Sequence, residues 1–323
     1  MIGAGSPSPA VDQRSLAAML VPVLNEMCQD RLGEISWFKA DWQRGGAATG
    51  TSTYRLDDGT QAPVVLKLPV VRRELTWITQ LQDPKDRDPV VPRLYASGDS
   101  LGGYDLTWIV IERFEHGPLG LKWHEEHIPR IAEAAARFHE KVRRFEVDQG
   151  PMIEPWDELL RDGLESVKIN RLDHEHRWLS AIKALRNGLD RILREWNARD
   201  VRQWLHGDLH LANAMSRHSM ESGSVSLIDL AEVRAGHWIE DAVYLERQLW
   251  TRPERMTHYR PVRAIAEARK ERNLPVERDY PRLAMIRRAL LAGTAPKFLR
   301  TEGHPKHLEA CLDRLDQALA ELK

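Results

Sequence analysis

The chain has 323 residues, enough for one large or two ordinary domains, and its 42% hydrophobic and 29% charged residues exclude a disordered chain. Its 47 Lys and Arg nearly balance 48 Asp and Glu, a formal net charge of −1, so it lacks the basic excess of a dedicated nucleic-acid binder. Two cysteines, Cys28 and Cys311, with no CxxC pair exclude a disulfide framework and a thiolate zinc site, and fit a reducing cytosol.

Residues 1–10 (MIGAGSPSPA) read as a flexible leader. The apolar run from Leu16 to Leu24 falls well short of the ~20 residues a spanning helix needs. It also lacks the basic region and small-residue cleavage site of a signal peptide. A cytoplasmic location without a membrane partner is therefore expected. From Asp12 onward, Leu16, Met19, Leu20, Val23, Leu24 and Met27 recur at helical spacing and predict an amphipathic helix. Runs at Trp37–Trp42, Thr51–Leu56 and Ala62–Leu68 read as strands, the last two joined by the hairpin signal Asp57-Asp58-Gly59. A short helix over about 70–82 and two strands near 91–97 and 104–112 complete an antiparallel five-stranded sheet with one inserted helix.

Glu115-His116-Gly117-Pro118 breaks this pattern, predicting an N-terminal domain of residues 1–115 and a second of 116–323. Beyond the break helices dominate. Ile128, Ile131, Ala135 and Phe138 form one helical face, and Leu172 to Trp196 reads as one long helix with Trp178, Ile182, Leu185, Leu189 and Ile192 inward. The region from Trp238 to Lys323 is helical, with loops at Thr251-Arg252-Pro253, Asn273-Leu274-Pro275 and Gly303. Between residues 204 and 230 the helices give way to short β-like runs. The expected class is α+β: a β lobe with one helix, then a larger, mainly helical lobe.

That interruption holds the chemistry. His206-Gly207-Asp208-Leu209-His210-Leu211-Ala212-Asn213 is a polar loop between the apolar runs Trp204-Leu205 and Ser226-Leu227-Ile228, and Asp229 follows the second run. Mg²⁺ takes hard oxygen ligands, one or two of them from protein. The Asn213 amide oxygen and the Asp229 carboxylate supply such a pair. Asp208 is then available to accept a proton from an alcohol attacking a phosphoryl group.

HGDLHLAN followed by LID resembles the catalytic core of the aminoglycoside phosphotransferase-like small-molecule kinases, which share the protein-kinase fold. The resemblance covers most of residues 35–250 and implies a bilobal kinase-like fold, ATP and Mg²⁺ as cofactors, Asp208 as catalytic residue, Asn213 and Asp229 as metal ligands, and a small-molecule hydroxyl as acceptor. It assigns Lys67, in Val64-Val65-Leu66-Lys67-Leu68, to the phosphates. Alternation puts Lys67 with Val65 and opposite Val64, Leu66 and Leu68. Glu74 is then the partner of Lys67. The stretch holding Gly45, Gly46, Gly50 and Ser52 stands where a phosphate-covering loop would lie. The backbone of Glu112 to Phe114 stands where adenine would bind. Asp241 becomes a structural anchor or N-cap, and His206 and His210 hold the loop. Residues Arg217 to Ser224 lengthen the turn between Asn213 and Asp229. Neither a Walker A nor a Rossmann sequence occurs.

Two other classes compete. His206, Asp208 and His210 could ligate zinc in a hydrolase, which leaves Lys67, Asn213 and Asp229 without roles. A catalytically silent nucleotide-binding or interaction protein could use the same fold. For the acceptor, His237–Lys323 carries 13 acidic and 17 basic residues, so this stretch is not acidic on balance, as a polycationic aminoglycoside would require. Trp123, Trp156, Trp238 and Trp250 could face sugar rings or quaternary ammonium groups, or build core.

Overall fold

The computed structural model describes residues 13–38 and 47–322. The chain divides into two compact units, one of Met1–Glu115 with Asp229–Ala231, the other of His116–Ile228 with Glu232–Lys323. The expected leader, residues 1–10, lies outside the described residues.

In the first unit, helix α1 (Gln13–Met27) precedes strands β1 (Ser36–Phe38), β2 (Ala48–Arg55) and β3 (Gln61–Leu68). Helix α2 (Arg72–Gln80) follows, then β4 (Leu94–Gly98) and β5 (Trp108–Glu112). The five strands form one antiparallel sheet in the order β1-β2-β3-β5-β4. The β2–β3 turn is pinned by Asp58, whose Oδ1 accepts from Thr60 N and Oγ1 at 2.9 and 2.6 Å, while Gly59 takes φ +82°. Val64, Leu66 and Leu68 are buried on one face of β3 and pack with Tyr54, Trp108 and Val110, and with Leu20, Leu24 and Cys28. The buried stripe of α1 is narrower than its sequence predicts. Leu20, Leu24 and Cys28 stand four residues apart, and Met19 and Met27 flank them, 75% and 52% exposed.

The second unit begins with α3 (His127–Val142), which buries Ile128, Ile131, Ala135 and Phe138. Helix α4 (Trp156–Ile169) was not expected from the sequence. The single helix expected over Leu172–Trp196 is two, α5 (Glu175–Asn187) and α6 (Leu189–Asn197). Gly188 sits at the break: its N–H is shared between the Ala184 and Leu185 carbonyls, and glycine weakens a helix interior through its backbone entropy. Trp178, Ile182, Leu185, Leu189 and Ile192 are buried across it.

Strands β6 (Gln203–Leu205), β7 (Ala214–Ser216), β8 (Val225–Leu227) and β9 (Arg234–Gly236) form two antiparallel ladders, β6-β9 and β7-β8. The long β7–β8 turn is tied to α3 by Arg130, which donates to the carbonyls of Ser219, Met220, Ser222 and Gly223. Helices α7 (Ile239–Arg247), α8 (Pro261–Glu271), α9 (Tyr280–Thr294), α10 (Leu299–Glu302) and α11 (Pro305–Glu321) complete the unit. Trp156, Trp238 and Trp250 are core residues, 6%, 0% and 3% exposed. Several buried charges are paired: Glu240 accepts from Arg199 and Arg234, and Glu246 from Arg288. Among the described residues, no helix is long and apolar enough to cross a membrane.

Glu277 joins α7 to the segment after α8. Its Oε2 accepts from Trp238 Nε1 at 3.0 Å and lies 3.2 Å from His237 Nε2. Burial alone would raise its pKa, but these two contacts outweigh burial and hold it at about 2. A carboxylate depressed in the folded state adds stability above its unfolded pKa and loses it as pH falls through the folded value. Urea unfolding should therefore show wild type more stable than Glu277→Gln above about pH 5, with the gap shrinking toward pH 2.

Candidate active site

On β3, Lys67 pairs with Thr49 of β2 and Ile109 of β5 and projects from the face opposite Val64, Leu66 and Leu68. Helix α2 starts four residues after β3 ends, so Glu74 in its first turn returns to the strand. Lys67 Nζ donates to Glu74 Oε1 at 2.6 Å and lies 3.5 Å from Asp229 Oδ1. Glu74 is buried, Lys67 keeps 11% of its side chain exposed, and Asp229 38%. Burial opposes the charge on Lys67, but Glu74 and Asp229 outweigh it and hold the ammonium above its usual range. Burial, with Asp229 nearby, raises Glu74 against the pull of Lys67. Asp229 has φ +65°, an uncommon conformation for a residue with a Cβ and one that concentrates at functional sites.

Gly45 and Gly46 lie outside the described residues. Gly50 and Ser52 are strand rather than loop residues, paired with Leu66 and Val64, and so belong to the face away from Lys67. A Cβ on Gly50 would stand 2.8 Å from Ile35 Cγ2 and 3.0 Å from Trp37 Cε3, so glycine here admits the crossing of β1. The Ser52 hydroxyl donates to the Thr53 carbonyl. Glu112 ends β5, with its N–H on Arg93 O and its Oε2 accepting from Arg93 N at 3.1 Å. Arg113 N reaches Pro63 O, and Phe114 follows, half-buried.

In the second unit the loop of residues 206–213 hangs on Asp241, a carboxylate that is 1% exposed. Asp241 Oδ2 accepts from His206 N and His139 Nε2, each at 3.0 Å, and Oδ1 from Gly207 N at 2.9 Å. These bonds hold Asp241 below the usual carboxylate range although burial opposes them. It is an anchor, not an N-cap, since it stands at the third residue of α7. His206 Nδ1 accepts from Asp208 N, which leaves Nε2 to donate to Ile228 O at 3.0 Å. His210 Nδ1 likewise accepts from Ala212 N, so its Nε2 carries the proton toward Asp208 Oδ2 at 3.4 Å. Asn213 Nδ2 donates to Asp208 O and Oδ2 at 3.0 and 2.9 Å. Its amide oxygen consequently points the other way, as a ligand oxygen must.

Asp208 would be raised by burial, but bonds from His210 and Tyr244 outweigh that and keep it a carboxylate. Tyr244 is missing from the sequence reading. It sits one turn beyond Asp241 on α7, and that i, i+3 spacing was the available signal. His139 is the second residue missed, because its contact with Asp241 spans 102 positions. The zinc reading fails on the same geometry. Both ring nitrogens of His206 and of His210 are engaged, and among the described residues no three His, Cys, Asp or Glu side chains group to hold a metal ion.

The antiparallel sheet with its lysine–glutamate pair, followed by a helical unit carrying this loop, defines a protein-kinase-like fold. A sequence model of the phosphotransferase enzyme family matches residues 42–286, and the chain belongs to that family of small-molecule phosphotransferases. Solved structures with the same fold include an aminoglycoside phosphotransferase from Alicyclobacillus acidocaldarius, 18% identical over 98% of this chain and 96% of the other, with TM-score 0.60. A microcompartment-associated aminopropanol kinase is 15% identical over 93% and 95% of the two chains, with TM-score 0.57. A thermostable mutant of aminoglycoside phosphotransferase APH(4)-Ia, solved with ADP and hygromycin B, is 12% identical over 94% and 98%, with TM-score 0.52. No curated protein sequence matches the chain significantly.

Gly207 is the residue of this loop least open to change. Its φ is +80°, and a Cβ would stand 2.0 Å from the Glu232 carbonyl oxygen. Gly207→Ala should lower stability by at least about 2 kcal/mol in calorimetric or urea unfolding.

Proposed function

We propose that this phosphotransferase moves the γ-phosphoryl group of ATP, with Mg²⁺, to a hydroxyl of a small molecule. The observation that carries the reading is the separate placement of two aspartates. Asp229 stands against the Lys67–Glu74 pair, and Asp208 is held as a carboxylate by Asn213, His210 and Tyr244.

The donor set suits the metal. Asn213 offers an amide oxygen whose orientation is set by Asp208, and Asp229 a partly exposed carboxylate, both hard ligands of the kind Mg²⁺ prefers. The bound ion would supply charge neutralisation on the phosphates. Lys67, kept charged and aimed by Glu74, would contact the phosphate oxygens, and the backbone of residues 112–114 would take the adenine. The family resemblance alone assigns Gly45 and Gly46 to the phosphates, and Gly50, on the face of β2 away from Lys67, does not join them. Ser52 lies on the same far face with its hydroxyl donated to the Thr53 carbonyl, so it offers the phosphates no contact.

Asp208 then accepts the proton of the attacking hydroxyl. The new O–Pγ bond forms as the bond from Pγ to the β,γ-bridging oxygen breaks, and ADP departs with that electron pair. Positioning and charge do most of the work, because the phosphoryl group needs little covalent help. The acceptor class is an amino alcohol, an aminoglycoside or a sugar-like compound. The solved relatives named for aminopropanol and crystallised with hygromycin B favour these chemistries. A cytoplasmic site of action, with no nucleic-acid or membrane partner, fits two free buried cysteines whose thiols burial pushes up to about 12.

Two substitutions separate the roles. Asp229→Ala should abolish Mg²⁺-dependent turnover and weaken Mg·ATP binding in calorimetry, and normal turnover in that variant would refute the metal assignment. Asp208→Asn should keep Mg·ATP affinity but slow phosphoryl transfer on the order of 10²-fold or more. Transfer at the wild-type rate would show that Asp208 only holds the loop.

A further inference from the structure

Arg269 of α8 is 1% exposed, and among the described residues no carboxylate bonds to its guanidinium. Its Nε and Nη2 donate to Pro275 O at 3.2 and 2.9 Å, Nη2 also to Gln203 Oε1 at 3.0 Å, and Nη1 to His139 Nδ1 at 3.1 Å. The Trp238 ring lies 5.2 Å from the guanidinium carbon. A desolvated cation is expensive to keep, and two of its three acceptors, Gln203 and His139, lead to the 206–213 loop. Gln203 opens β6, the strand that runs into His206. His139 bonds to Asp241, which bonds to His206 and Gly207.

The chemistry of the imidazole makes this chain directional. A guanidinium N–H pointing at His139 Nδ1 obliges that nitrogen to be an acceptor, so the ring's proton resides on Nε2. Nε2–H then donates to Asp241 Oδ2. Burial and Arg269 both oppose a second proton on the ring, against the pull of Asp241. With one lone pair of Oδ2 engaged by His139, the Asp241 carboxylate is oriented to receive the amides of His206 and Gly207. Gly207 has no side chain to fix its direction, so those two bonds fix the backbone from which Asp208 projects.

We propose that Arg269 and His139 are positioning residues for phosphoryl transfer, acting through Asp241 to aim the Asp208 carboxylate. The proposal rests on Asp208 serving as proton acceptor. It places a determinant of turnover on α8, at a residue that bonds to none of the loop's own residues.

The test uses the full chain with Mg·ATP and water as the acceptor, reading kcat from ADP release and Mg·ATP affinity by calorimetry. His139→Leu should lower kcat by about 10-fold or more, with Mg·ATP affinity within about twofold of wild type. His139→Gln, whose Nε2 can donate to Asp241 from nearly the same place, should recover to within about threefold of wild type. Arg269→Met should lose kcat without losing Mg·ATP affinity, and it decides the matter should His139→Leu fail to fold. Wild-type kcat in a folded His139→Leu, no recovery in His139→Gln, or losses that track Mg·ATP affinity would each overturn the proposal.

Should the wild-type chain neither bind nor hydrolyse ATP, the functional reading fails by itself. The positioning chain is then judged by amide exchange at His206 and Gly207. Faster exchange in His139→Leu but not His139→Gln supports it, and unchanged exchange in both overturns it.

Discussion

Burying a carboxylate costs several kcal/mol unless hydrogen bonds replace the lost water, and Asp241 meets that condition with three donors from two distant parts of the second unit. Two are backbone amides of a loop whose glycine could otherwise adopt many conformations. The third is a histidine held by a buried arginine. The polar residues of the loop can therefore stand at fixed angles without belonging to a strand or a helix. Asp208, His210 and Asn213 then hold one another through short local bonds. Removing the anchor would leave those local bonds intact but unmoored.

The first unit solves a related problem differently. Lys67 leaves the sheet on the side away from the α1 core, where it meets a helix glutamate and Asp229. One cation facing two carboxylates leaves a local excess of negative charge, which a bound cation would relieve. The positive φ of Asp229 points the same way: strain at a partly exposed acidic residue persists where surrounding contacts hold it. Asp229–Ala231 group with the sheet unit although the chain on either side belongs to the helical one.

Much of this was legible from residue order, for identifiable reasons. Strand alternation placed Lys67 opposite Val64, Leu66 and Leu68, since the two-residue period is a property of any extended chain. Asp57-Asp58-Gly59 announced its turn through a side chain and a glycine that act within four residues. The helical face of α3 followed from spacing alone. Where spacing was read without punctuation it misled: the apolar period runs unbroken through Gly188, but the helix does not. Met19 and Met27 fit the period of α1 and remain exposed, because among the described residues here the core cluster takes only Leu20, Val23, Leu24 and Cys28.

By itself the sequence determined the five strands and inserted helix of the first unit, the helical character of the second, the polar loop at residues 206–213 and the residue types able to serve phosphoryl transfer. All of these depend on chemistry within a few positions of each residue. Only the tertiary structure decided which of them meet. It turned Gly50 and Ser52 to the core face, because strand register is set by pairing with β3 and not by the glycine-rich composition. It brought Asp229 to Lys67, Tyr244 to Asp208, and His139 across 102 positions to Asp241. Contacts of that range are fixed by how buried faces pack, and no local pattern of residues encodes them.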